Sequence, residues 1–163
     1  MRDEDLAGDL ATTEATLQDA LRRSEEAFKC TFDICVFIAP TDIFRVPEWI
    51  SDCVSALRDD EKLESAFVGL STHKNYWEQA EDGSWVRLRD WMKVYSSRQI
   101  RRRVVREDTG LASASRASLW RAGRRIGDHV KVLPHDDDFT SIDIHKREDL
   151  ELAHAAIGIR AKK

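Results

Sequence analysis

Two periodicities alternate along the apolar positions of this chain. Residues 12–28 place Leu17, Leu21 and Phe28 on one stripe at helical spacing, with Thr12 or Thr13 available to cap the start. Residues 32–38 then form a nearly unbroken apolar run, as expected of a strand covered on both faces in a parallel sheet, and Pro40 ends it. Pro47 suits the first turn of a helix burying Trp49, Ile50, Cys53, Val54 and Leu57. A second buried strand is expected at 66–70 and further strands at 111–114 and 130–133, with a helix over 118–124 between these two. Residues 76–91 alternate aromatic and charged side chains around Asp82-Gly83, which predicts a β-hairpin. A closing helix over 148–157 would bury Leu150, Ala153 and Ile157. Such alternation of strand and helix predicts one three-layer α/β domain over residues 1–163, with a mostly parallel sheet.

Composition narrows the class without changing that picture. A chain of 163 residues, 42% hydrophobic and with five tryptophans, has the makings of a single globular core. Its net charge of −4 favours neither a nucleic-acid binder nor a polyanionic tail. Cys30, Cys35 and Cys53 lack zinc or redox spacing, and their odd number suits a reducing compartment. No apolar run is long enough to span a membrane, and the charged opening is no signal peptide. The expectation is a cytoplasmic protein with no membrane partner.

Candidate chemistry gathers at strand ends. Ser141-Ile142-Asp143-Ile144-His145 reads as a short strand entering an acidic helix start, so Asp143 and His145, two apart, face the same side. The carboxyl edge of a sheet is where such groups meet a metal or a phosphate. Pro40-Thr41 and Arg45 follow another strand, where they either wall a ligand pocket or fix the turn by hydrogen bonds. The arginine-rich segment Arg98, Arg101, Arg102, Arg103 and Arg106 admits reading as an anion site, a nucleic-acid patch or a solvated charge run; the acidic balance and the absence of interleaved aromatics disfavour nucleic acid, and the favoured reading is an anion site for Arg98 and Arg106 and a solvated run for Arg101 to Arg103. Asp136-Asp137-Asp138 reads as a solvated loop, because consecutive side chains point in different directions.

Together these blocks resemble the acylneuraminate (sialic acid) cytidylyltransferases. The segment 141–150 is similar to that family's closing Ser-Ile-Asp-Ile-Asp, short turn and Asp-Leu. Residues 34–45 resemble its strand ending in Gln-Pro-Thr-Ser-Pro-Leu-Arg. Arg98-Gln99, then Arg106 and Gly110, echo its Arg-Gln pair, later Arg and Asn-Gly; Arg2, Leu6-Ala7 and Asp9 resemble the lead into its first helix here.

The resemblance implies a nucleotide-diphospho-sugar transferase-like α/β/α fold and transfer of CMP from CTP to a 2-keto sugar acid. It makes Asp143 the catalytic Mg²⁺ ligand, with His145 where the family has a second carboxylate. Thr41, Arg45, Arg98, Gln99 and Arg106 become substrate-binding residues, and residues 72–105 a dimerising, substrate-covering insertion of a homodimer. His145 itself reads as a softer second ligand, suited to Mn²⁺ or Zn²⁺, or as a surface histidine at a helix start.

Departures bear on the same points. Ala39 stands in place of the glutamine, Asp42-Ile43-Phe44 in place of Ser-Pro-Leu, and the family's opening strand and glycine- and lysine-containing triphosphate loop have no counterpart. The expectation is therefore a chain incomplete for catalysis alone, with a non-catalytic sugar-nucleotide or dimerisation module as the alternative. Trp77, Trp85 and Trp91 would sit in a subunit contact or cap the parent sheet.

Overall fold

The computed structural model describes residues 11–97 and 99–162. Helix α1 (Thr13–Phe28) starts at Thr12, whose hydroxyl accepts the Ala15 N–H at 3.1 Å, and stops at Lys29 in the left-handed region (φ 50°). Strand β1 (Ile34–Phe37) leads to α2 (Pro47–Asp59), which opens on the expected proline. Strand β2 (Ser65–Thr72) begins with six consecutive buried residues. Strands β3 (Trp77–Gln79) and β4 (Trp85–Arg87) form the hairpin around Asp82-Gly83. The remaining elements are β5 (Val104–Glu107), β6 (Ser113–Arg116), α3 (Ala117–Arg121), β7 (Val130–His135) and α4 (Arg147–Arg160).

The α/β architecture is as expected. Strand β6 lies between β1 and β2 and runs against both, while β7 pairs parallel to β2 on its other side. Hence β1, β2 and β7 share one direction, although three of the four hydrogen-bonded pairings are antiparallel. Strands β5 and β6 form one reversed course along β2, interrupted at Val68. The Val68 carbonyl accepts the Asp108 N–H (3.2 Å), and its own N–H donates to the Ala112 carbonyl (3.1 Å). Residues 109–111 bulge out between these two bonds. A Cβ on Gly69 would collide with the Arg106 carbonyl, so only glycine lets β5 approach here.

Alternation along β1 defines the layers. Ile34 packs toward α2, in the cluster with Cys53, Leu57, Ala66, Val68 and Ala114; Cys35 and Phe37 pack on the other face with Leu21, Leu119 and Trp120 of α1 and α3. A third cluster joins Phe44 to Ala153 and Ala156 of α4.

Several expectations need correction. Strand β1 has helices packed on both faces, as expected, but among the described residues it pairs with β6 alone, antiparallel, and leaves Val36 39% exposed. An apolar run by itself does not distinguish an edge from a centre. The strand expected at 111–114 begins at Ser113, while buried Leu111 and Ala112 end the bulge. Strand β5 hides inside the arginine-rich run. Helix α4 buries Ala153, as expected, and Ala156, but leaves Leu150 and Ile157 about half exposed, and Phe28 is exposed too. The strand expected at 141–145 is instead a 3₁₀ turn (Asp138–Ser141) and an extended lead into α4. Trp77 and Trp85 do not close over the parent sheet: the hairpin is a separate two-stranded unit in which both remain half exposed or more. On it the Arg87 guanidinium lies 4.1 Å above the Trp77 ring and donates to the Tyr95 hydroxyl at 3.1 Å.

Candidate functional site

The carboxyl ends of β1 and β7, the middle of β2 and the 109–111 bulge converge, and chemistry-bearing residues converge with them. After β1 the chain turns at Pro40-Thr41-Asp42. Arg45 fixes this turn by donating to the Ala39 carbonyl and, from Nε (3.1 Å) and Nη2 (2.7 Å), to the Asp42 carbonyl. The bulge is stitched to it by the Ala39 N–H on the Gly110 carbonyl (2.7 Å). A Cβ on Gly110 would collide with the Asp42 carboxylate, so the glycine makes room for that acid. The lead into α4 is tied on by the Ile144 N–H to the Thr41 carbonyl (3.3 Å).

Three carboxylates and two guanidinium groups meet here. Burial, then Asp143 and Asp108, push the Asp42 carboxyl above its ordinary range, against the pull of Arg45 and Arg106. Asp108 is nearly enclosed; it accepts the Leu70 N–H (2.9 Å) and the Arg106 Nε–H (2.5 Å). Arg106 reaches on to the Thr140 carbonyl at 3.5 Å. Asp143 pairs its Oδ2 with His145 Nε2 at 2.6 Å, while its Oδ1 is buried with no hydrogen-bond partner.

His135 closes the floor. Its ring stacks on Trp49 (centroids 4.6 Å apart, planes 25°), and Nδ1 accepts the Asp137 N–H at 3.3 Å. The neutral ring therefore carries its proton on Nε2. That nitrogen is buried without a hydrogen bond, 4.0 Å from Asp108 Oδ2. Burial lowers the pKa of the ring, opposed by the Asp108 charge.

One step further along β2 the surface changes sign. A cavity of about 670 Å³ is lined by Ser71, Thr72, His73, Lys74, Ser96, Arg101, Arg103, Asp136 and Asp138. It sits over the ends of β2 and β7, which are in register at Leu70 and His135. Arg103 pairs with Asp136 at 3.3 Å on the exposed rim. Arg101 donates to the Asn75 carbonyl oxygen and lies over the Tyr95 ring at 5.7 Å.

Among the sequence candidates, the structure brings Asp143 and Arg106 together around Asp42. Thr41 and Arg45 shape the turn beneath them. Gln99 is exposed and lines no part of the cavity, and Arg98 lies outside the described residues, as do Arg2, Leu6, Ala7 and Asp9. His145 is 71% exposed and holds Asp143. The reading of residues 101–103 as a solvated run is corrected for Arg101, which is half-buried on the cavity wall, whereas Arg102 and Arg103 are exposed, Arg103 on the cavity rim. Asp108, His135 and His73 had no sequence signal, because only the β5–β6 bulge and the β2–β7 register place them. The Asp136–Asp138 loop does splay: Asp136 meets Arg103, and Asp137 meets Arg160 and caps the 3₁₀ turn.

Among the described residues no group of three or more His, Cys, Asp or Glu side chains is arranged to hold a metal ion. Mg²⁺ asks for less, since it commonly takes one or two carboxylates and completes its shell with water and phosphate. The unpartnered Oδ1 of Asp143, beside an Asp42 carboxylate that its neighbours repel, fits such an ion. No described helix is long and apolar enough to cross a membrane.

No protein-family model matches the chain, and no curated protein matches it. Among solved structures, the 4-diphosphocytidyl-2C-methyl-D-erythritol synthase of Anaerococcus prevotii superposes with a TM-score of 0.60 at 16% identity, over 91% of this chain and 67% of that one. The chain thus has the α/β fold of that synthase.

Proposed function

We propose that this chain carries the metal-side and acceptor-side parts of a cytidylyltransferase site, in which CTP and a sialic-acid-like 2-keto sugar acid give a CMP-sugar and pyrophosphate. The carrying observation is the cluster itself: Asp143 with an unpartnered buried oxygen, Asp42 near enough for the Asp143 and Asp108 charges to raise its pKa, and Arg106 anchored on Asp108, with a cavity of sugar size over the ends of β2 and β7. In the reaction the anomeric hydroxyl oxygen bonds to the α-phosphorus, the bond from that phosphorus to pyrophosphate breaks, and the hydroxyl proton passes to water. Catalysis of such a step is positioning and charge neutralisation. Asp143 and Asp42 would hold Mg²⁺, which when bound offsets charge on the α-phosphate and on the departing pyrophosphate. Asp108 keeps Arg106 oriented, and His145 keeps the Asp143 carboxylate turned so that Oδ1 faces inward.

The glycine- and lysine-containing triphosphate loop of the resembling family has no counterpart in this sequence, so binding is tested before turnover. Calorimetry with Mg²⁺ and CTP should show metal-dependent nucleotide binding, and Asp143→Asn should weaken it by at least about tenfold, the equivalent of one charged contact. Absence of any Mg²⁺ or CTP affinity in the folded chain sinks the enzymatic reading. The half-exposed Trp77 and Trp85 favour a second role for residues 72–105, as the contact of a homodimer.

A further inference from the structure

We infer that the hairpin and the arginine-rich run form one surface for single-stranded nucleic acid, a function apart from nucleotidyl transfer. The distribution of charge points there first. Residues 72–105 carry eight Lys and Arg against four Asp and Glu, the reverse of the whole chain with its 26 against 30. The same residues hold three of the five tryptophans and both tyrosines. A cationic, aromatic segment in an otherwise acidic chain concentrates its field on an anionic partner.

Folding supplies what the arginine-rich run lacks in sequence, aromatic rings among its guanidinium groups. Arg87 lies 4.1 Å from the Trp77 ring centre and 5.5 Å from that of Tyr95, and Arg101 lies 5.7 Å from Tyr95. Ring and cation thus alternate from Trp77 through Arg87 and Tyr95 to Arg101. Arg102 makes a second such pair with Trp91 at 5.9 Å. Tyr95 remains 72% exposed. Trp85, read above as a dimer contact, is not a rung of this ladder.

These cations are left for a partner. Elsewhere arginines close onto carboxylates, Arg22 on Asp19 and Glu26, Arg121 on Glu25 and Arg124 on Asp128. Arg87, Arg101 and Arg102 instead meet neutral groups: the Tyr95 hydroxyl, the Asn75 carbonyl oxygen and the Trp91 ring. Among the described residues no carboxylate pairs with any of the three. A ligand answering both features needs anions along a chain and flat faces between them. An acidic peptide supplies only the anions. Duplex nucleic acid keeps its bases stacked, and among the described residues of 73–103 there is no α-helix to enter a major groove, only two three-residue strands and a 3₁₀ turn. A single strand offers phosphates to the guanidinium groups and unstacked bases to the rings.

The test is fluorescence anisotropy on the full chain with labelled oligouridine and oligothymidine of about 12 nucleotides. Affinity should fall with salt along a log–log slope of about −2, as for three phosphates on a single strand. Tyr95→Ala should weaken binding by about 5–100-fold with the slope unchanged, the range of one lost stacking contact. Tyr95→Phe keeps the ring and should bind like the native chain. Arg102→Gln should make the slope shallower by about 0.7. Melting temperatures should stay at the native value, since both side chains are exposed. Binding of either oligonucleotide upholds the surface, whether or not the chain also binds CTP. Absence of binding at low salt, full affinity in Tyr95→Ala, equal affinity for a duplex, or competition by polyglutamate at matched charge overturns it. Displacement of the oligonucleotide by CTP and Mg²⁺ overturns it too, by placing that ligand in the nucleotidyl-transfer site. If these variants dissociate a dimer that binds no oligonucleotide, the surface belongs to a second copy of the chain and the inference falls.

Discussion

His135 shows how one residue's surroundings become a measurable property. Its burial lowers the ring pKa from the ordinary 6.5, so the unfolded chain takes up a proton before the folded one does. Stability is then complete above pH 6.5 and falls as pH drops toward the lowered folded value, because protonation favours the unfolded state. Replacing the ring in His135→Gln should flatten the melting temperature between pH 7 and pH 5; an unchanged slope would show that the ring stays solvated. The cysteines divide on the same physics. Burial pushes the Cys35 thiol up to about 11 and the Cys53 thiol up to about 12, whereas Cys30 is exposed. A thiol reagent at pH 7.5 should modify Cys30 alone until denaturant is added, since the thiolate is the reactive species. Rapid labelling of two or three sites would contradict this packing.

At the scale of elements, the site depends on how closely β5 lies against β2. Gly69 permits that approach, and the same stretch of β5 carries Arg106 to Asp108. Gly69→Ala should destabilise the chain by about 1–3 kcal/mol in urea unfolding, the usual range for forcing atoms into a packed place. It should also weaken Mg²⁺-dependent CTP binding, because Arg106 moves with the strand. Full stability with intact binding would mean that β5 yields freely. The strand β1 matters in another way: among the described residues no strand pairs with its side away from β6, which leaves a row of backbone groups open to a further strand.

For the whole molecule, the sheet and the hairpin are two units with different surfaces. The sheet unit buries its apolar residues in three clusters, while the hairpin leaves Trp77, Trp85 and Tyr95 outward. If these aromatics form the homodimer contact, Trp85→Ser should raise the dimer dissociation constant by at least about tenfold, as loss of an interface anchor does. Sedimentation velocity reads this directly, and a distribution unchanged by the substitution would remove the hairpin from the interface. The melting temperature at low protein concentration should stay the same, since Trp85 packs in no buried cluster.

Local sequence determined the elements whose signals are local. Thr12 and Pro47 marked two helix starts because capping and a fixed φ act within one turn. Asp82-Gly83 marked the hairpin because a tight turn needs little beyond its own residues. The helix start after Asp143 was legible for the same reason, whereas the strand expected before it is an extended lead. Tertiary structure alone decided that β1 pairs with β6, that β6 is reversed between β1 and β2, and that Asp42, Asp108, His135 and Asp143 share one neighbourhood. It also lifted Arg101 out of a charge run and into a cavity wall. Strand order and the bulge set these distances, and both arise from pairing between segments far apart in sequence. Apolar periodicity records which face is buried, but it carries no information about the partner that buries it.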